Sequence, residues 1–179
     1  MKILFVNACV RGESRTERLC RAYLRRHAAG IEVEELRLES ARLAPFDGAM
    51  LKQRDEDIAA GDFSSDRYRF AKAFAGADLV LIGAPYWDFS FPSMLKVYFE
   101  HICVNGITFY YDKGRPVSLC RGKKLVYITT AGGFVGASLR EYLEELNALF
   151  GFEKVTLLKA EGLDIQGNDP EAILKEVIL

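Results

Sequence analysis

The sequence predicts an α/β fold, a five-stranded parallel sheet of order 2-1-3-4-5 with helices on both faces in a three-layer sandwich. Three observations carry this. Short apolar runs alternate along the chain with stretches of helical spacing, the pattern that builds a parallel sheet covered on both sides. The runs Lys2-Ile3-Leu4-Phe5-Val6-Asn7 and Asp78-Leu79-Val80-Leu81-Ile82-Gly83-Ala84 are nearly continuously apolar, as strands buried on both faces are. Right-handed crossovers then leave few orders for five such strands, with 2-1-3-4-5 the first choice.

Each element has its own signal. Residues 2–7 form the first strand. Ser14-Arg15-Thr16-Glu17 has capping-box spacing, so a helix starts at Ser14. Leu19, Tyr23 and Leu24 give it an apolar stripe, and Gly30 ends it. Ile31, Val33, Leu36 and Leu38 mark a second strand, less apolar and nearer an edge. Residues 40–63 read as a surface excursion: Ala44-Pro45-Phe46-Asp47-Gly48 breaks regular structure, and 52–60 is polar with helical potential. Ser64 or Ser65 caps the next helix, whose buried face carries Tyr68, Ala71, Phe74 and Ala75. The third strand is 78–84. After it comes Pro85-Tyr86-Trp87-Asp88-Phe89-Ser90-Phe91-Pro92, then a helix with Leu95, Tyr98, Phe99 and Ile102 on one face. Pro92 suits that helix's first turn, where a missing N–H costs nothing. Residues 105–114 read as an extended aromatic stretch ending in a turn. Residues 124–130 form the fourth strand and run into Ala131-Gly132-Gly133-Phe134-Val135-Gly136. A helix from Ala137 or Ser138 carries Leu139, Tyr142, Leu143, Leu146 and Phe150, and Gly151 stops it. Val155 to Leu158 is the fifth strand, and Asp169-Pro170 starts the last helix.

A chain of 179 residues suffices for a full core, and it reads as one domain over 1–179. A net charge of −1 gives no ground for a nucleic-acid or acidic-membrane partner. Cys9, Cys20, Cys103 and Cys120 have no CxxC or metal-ligand spacing and read as reduced thiols. No leader pattern opens the sequence and no apolar run reaches membrane-spanning length. A cytoplasmic protein without a metal site is the expectation.

Three unusual loops, at 8–16, 85–92 and 130–136, all follow strands. In sheets of this kind ligands bind outside the carboxyl ends of the strands, beside the switch between strands 1 and 3. The first loop can hold a phosphate: a helix N-terminus supplies free N–H groups, Ser14 and Thr16 supply hydroxyls, Arg11 and Arg15 supply charged forks. The plainer reading, a capped helix with solvated arginines, explains Ser14 but not the clustering of two arginines and two hydroxyls. The other two loops can flank a flat ring, with Trp87 and Phe89 as apolar faces and Gly132 and Gly133 admitting close backbone approach. Taken singly, each is an ordinary strand-to-helix turn. Convergence on one edge favours a ligand.

These stretches resemble the NAD(P)H dehydrogenase (quinone) and FMN-dependent azoreductase family of flavodoxin-like flavoproteins. Asn7 to Arg11 with Ser14 and Thr16 resembles its phosphate loop. Pro85 to Pro92 with Leu95-Lys96 and Phe99-Glu100 resembles its flavin-ring loop and following helix. Thr108-Phe109, Tyr111-Asp112-Lys113-Gly114 and Gly122-Lys123-Lys124 resemble its middle segment, and Thr129-Thr130-Ala131-Gly132-Gly133 its glycine-rich loop. The resemblance implies FMN, its phosphate held by Arg11, Ser14, Arg15 and Thr16. Pro85, Tyr86, Trp87, Asp88, Phe89, Thr130, Gly132 and Gly133 would line the ring, with the Gly132 and Gly133 backbone stabilising its charge. It implies ping-pong hydride transfer from NAD(P)H to a small-molecule acceptor, a quinone, azo or nitro compound, without a side-chain nucleophile. It also implies a homodimer in which segment 107–111 helps to wall the site. The sequence departs from the family pattern at Cys9 and Val10, where Ser and Pro are frequent, and at Asp88, where an uncharged polar residue is frequent.

Two rivals fit part of the same residues. Cys9, Arg15 and Thr16 have the Cys-x5-Arg spacing that resembles low-molecular-weight tyrosine phosphatases, with Cys9 as thiolate nucleophile and Asp169-Pro170 as a general-acid pair. That leaves the 85–92 and 130–136 loops without a role. Cys9 as a small buried residue and Asp169-Pro170 as a helix start are the simpler readings. A non-enzymatic FMN electron carrier is the other rival. Such carriers usually present an acidic docking surface, which the near-neutral charge does not support.

Overall fold

The computed structural model describes residues 1–178. Its main sheet is parallel and five-stranded, in the order β2-β1-β3-β6-β7. These strands are β1 (Lys2–Asn7), β2 (Glu32–Arg37), β3 (Leu79–Gly83), β6 (Lys124–Thr130) and β7 (Lys154–Ala160). The expected numbering 2-1-3-4-5 does not hold for the chain as a whole. An antiparallel hairpin, β4 (Phe109–Asp112) and β5 (Arg115–Ser118), takes the fourth and fifth places. The stretch read as extended at 105–114 supplies its first strand and its turn, where Lys113 and Gly114 adopt φ of 48° and 80°.

Alternation along β1, β3 and β6 divides the core between the two faces. Leu4, Val6, Val80, Ile82, Leu125 and Tyr127 face one cluster. It is built with α4 (Arg69–Gly76), α5 (Ser93–Ile102) and α6 (Ala137–Phe150). Ile3, Phe5, Leu81, Val126 and Ile128 face the other, which involves α1 (Arg15–His27) and α7 (Pro170–Ile178). β2 is the less buried edge, as its composition predicts. No helix among the described residues is long and apolar enough to cross a membrane.

The surface excursion holds two helices, α2 (Leu38–Ala41) and α3 (Gly48–Ala60). Helix α3 fully buries no residue and is capped at both ends, with Ile58 partly buried against the core. Asp47 accepts the Met50 N–H, and Gly61 closes it at φ 66°. Tyr68, which donates a 2.8 Å hydrogen bond to Asp57, lies in the 3-10 turn Asp66–Tyr68 that leads into α4 and is capped by Ser65. Pro92 is the N-cap of α5, one place earlier than the first-turn position its sequence context suggests.

Helix α1 packs tightly against the sheet. An ideal Cβ on Gly83 would lie 2.5 Å from Cys20 Sγ and 3.2 Å from the Phe5 ring. Replacing Gly83 by Ala overfills this contact and should cost about 1–3 kcal/mol. Urea unfolding of G83A checks it, and an unshifted midpoint would mean that α1 has room to yield.

Candidate functional site

The carboxyl ends of β1, β3 and β6 open onto a cleft of about 400 Å³, within the span of roughly 300–1,000 Å³ usual for small-molecule sites. Arg11, Ser14, Arg15 and Thr16 line one part, Pro85, Tyr86 and Trp87 another, and Thr130 and Gly132 a third. The sequence-predicted residues thus converge, with three exceptions. Asp88, Phe89 and Gly133 are not in the lining. Asp88 and Phe89 form the tip of a reverse turn, at φ 49° and 61°, closed by reciprocal Trp87 and Ser90 hydrogen bonds of 3.1 and 2.7 Å. Phe89 is 85% exposed.

The first loop is set by Asn7. Its fully buried amide donates to Glu35 at 3.0 Å and accepts the Cys9 N–H at 3.0 Å. Ser14 then caps α1 through the Glu17 N–H. Glu17 itself is gripped by Arg37 at 2.6 Å and Arg21 at 2.9 Å. Burial pushes its carboxyl up, but these guanidinium bonds outweigh burial and hold it below the ordinary range. Thr16 Oγ1 meets Thr130 Oγ1 at 2.7 Å, tying the start of α1 to the end of β6. The helix start leaves N–H groups without intrahelical acceptors beside the cleft.

The second and third loops are tied to each other. Tyr86 donates its N–H to Thr130 O at 3.0 Å, and its hydroxyl accepts from the Gly136 N–H at 3.0 Å. The Arg11 guanidinium lies 6.0 Å from the Trp87 ring centre, the outer limit of a cation–π contact.

Sequence reasoning missed the wall contributed after β7, namely Leu163 and Asp164, and also Val10, Glu13 and Ala131. Asp164 donates its N–H to Gly132 O at 3.0 Å, and its carboxylate accepts from Arg15 Nη1 at 2.8 Å. No local motif announces this pairing across the chain.

The phosphatase geometry is not present. Cys9 is 1% exposed and outside the cleft lining, with its thiol 3.7 Å from Gly83 O. Burial pushes that thiol up to about 11, against the lowering effect of Ser14. Asp169 is engaged as the cap of α7, accepting from the Glu171 and Ala172 N–H groups.

The fold and the cleft define the class, and a family model described as Flavodoxin-like fold matches residues 1–178. The chain belongs to that family. Among its relatives, the FMN-dependent NADH:quinone oxidoreductase of Clostridium beijerinckii is 32% identical over a 188-residue alignment, covering 99% of this chain and 94% of the relative. FMN-dependent NADH:quinone oxidoreductase 2 of Clostridium acetobutylicum is 43% identical over 117 residues, 62% of this chain and 58% of that protein. The crystal structure of an azoreductase from Bacillus anthracis str. Sterne shares the fold at a TM-score of 0.83 and 23% identity, covering 99% and 94% of the two chains.

With its thiol protonated until pH nears 11, Cys9 should resist alkylation in the native protein at pH 8. Peptide mapping after iodoacetamide treatment checks this; rapid native labelling of Cys9 would restore a nucleophilic role.

Proposed function

We propose that this protein is an FMN-dependent NAD(P)H oxidoreductase that passes a hydride to a quinone, azo or nitro acceptor by a ping-pong mechanism. The observation that carries the reading is the cleft itself, in which a cationic helix start and an aromatic, glycine-bearing wall face one cavity. Relatives of nearly full length named FMN-dependent NADH:quinone oxidoreductase support it.

The donor chemistry of the cleft fits FMN. At one end Arg11, Arg15, Ser14 and Thr16 offer the charge-assisted and hydroxyl donors that a phosphate monoester requires. At the other, Tyr86 and Trp87 offer apolar surface for a flat ring, beside backbone from Thr130 to Gly132. Bound FMN would supply the hydride-accepting and hydride-donating chemistry. The protein's own work is then positional. Arg11 and Arg15 would hold the phosphate, the Tyr86 N–H bond to Thr130 O would fix the second loop against the third, and Trp87 would cover part of the ring. The Gly132 and Gly133 backbone is the candidate for stabilising negative charge on the ring. Asp88 and Phe89, at the tip of their turn, do not line the cleft, and Asp88 is exposed to water. A carboxylate so placed is screened, so it acts weakly on charge inside.

We also read the protein as a cytoplasmic homodimer. Segment 107–111 follows α5 and leads into the β4–β5 hairpin. Tyr110 and Tyr111, 41% and 55% exposed, do not line their own chain's cleft; in a homodimer a second copy would present them.

Purified protein incubated with FMN and desalted should retain flavin absorption, and NADH or NADPH should bleach it without oxygen. Loss of all flavin on desalting, with no NAD(P)H oxidation when FMN is supplied, would sink the reading. Sedimentation should give twice the mass of a 20.1 kDa chain; a monomer at micromolar concentration would remove the second wall.

A further inference from the structure

The phosphate end of the cleft contains its own competitor. Four charged side chains line the cavity, Arg11, Arg15, Glu13 and Asp164, and their formal charges cancel. Asp164 is the best placed of the acids. Its carboxylate accepts from Arg15 Nη1 at 2.8 Å, so it engages one arm of the fork that would meet a phosphate. The same carboxylate packs against the glycine-rich loop, so closely that an ideal Cβ on Gly132 would collide with it. Backbone bonds hold it there. Asp164 N–H donates to Gly132 O at 3.0 Å, Leu163 N–H to Ala131 O at 3.2 Å and Gly162 N–H to Gly133 O at 2.7 Å. The loop after β7 is thus fastened along the third loop, and Asp164 reaches from there to the first.

We propose that Asp164 sets the specificity of the cleft for the terminal group of its flavin. The carboxylate competes with a phosphate for Arg15 and repels it, so the cleft favours a phosphorylated flavin over an unphosphorylated one less than its two arginines would dictate. The inference rests on the FMN reading above. A phosphate dianion entering the first loop either displaces Asp164 from Arg15 or shares the guanidinium with it. In the first case it breaks an ion pair, and in the second it sits beside a like charge. Riboflavin, with a hydroxyl in that place, meets neither penalty. Arg15 and Asp164 are both partly open to water, 39% and 68% exposed, so the pair can open without disturbing the core.

Flavin fluorescence titration tests this on the full chain at low ionic strength. The ligands are FMN and riboflavin. The proteins are the wild type, D164N, R15Q and the double variant. Asp164→Asn keeps the shape and removes the charge. It should tighten FMN by about threefold, the scale of one exposed charge interaction, and leave riboflavin unchanged. In the R15Q background the part of that gain that comes from competition for the guanidinium should disappear, and the part that comes from like-charge repulsion should remain. Equal shifts for both flavins in D164N, or no shift at all, would each overturn the proposal. Binding of FMN by the wild type with any of those outcomes leaves the oxidoreductase reading standing. A wild type that takes up neither flavin overturns both.

Discussion

The buried amide of Asn7 is the contact on which the cleft depends. A parallel strand that ends at the sheet edge must turn its chain without leaving polar groups stranded. Asn7 satisfies both needs at once: its amide donates to Glu35 on the neighbouring strand β2 and accepts the Cys9 N–H of its own loop. The loop is thereby bound to the sheet before it reaches Ser14. Removing the amide would strand the Cys9 N–H in a buried place, a penalty of about 1–3 kcal/mol, and would free the start of α1.

From that anchor the charges follow. Glu35 also receives Arg21 and Arg37, and the same arginines hold Glu17. The acid at the first turn of α1 is therefore engaged on the side of β2. Arg11 and Arg15 lie on the cleft side. A helix start with its first-turn acid turned away and two arginines turned inward offers an anion site, which Glu13 and Asp164 in the same lining offset in part. The Thr16–Thr130 contact then fixes that site relative to the ring end of the cleft, since Thr130 also takes the Tyr86 N–H.

What could be read in the sequence was what is periodic or locally encoded. The apolar runs of β1, β3 and β6, the Ser14 cap, the stop at Gly151 and the convergence of three loops all follow from spacing. The hairpin β4–β5 escaped because Arg115-Pro116-Val117-Ser118 carries no alternation and a proline. Helix α3 stayed uncertain because it fully buries no residue, so no stripe marks it. The turn at Asp88 and Phe89 lacks the glycine or asparagine that normally announces left-handed positions. Asp164 was invisible for a different reason. Its meaning lies in Arg15, 149 residues earlier, and long-range ion pairs leave no trace in local pattern.

The departures from the family pattern bear on how such a cleft tolerates change. Where the resemblance would put Ser, Cys9 leaves the loop held by its N–H, which any residue but proline supplies, and its thiol points into the core toward Gly83. Asp88 replaces a frequent uncharged residue, yet its turn closes through the Trp87 and Ser90 backbones. Both non-glycine residues at that tip sit at positive φ, a conformation that costs of order 1 kcal/mol or more. The backbone closure and the proline at each end hold it there. Where main-chain bonds set the shape, a change of side chain at these positions leaves those bonds in place. Residues whose side chains themselves form its contacts, Arg15 with Asp164 and Thr16 with Thr130, have no such freedom. Differences in ligand preference among proteins of this fold should therefore concentrate at side-chain-built contacts, and the pair that bridges the first loop and the last is the most exposed of them.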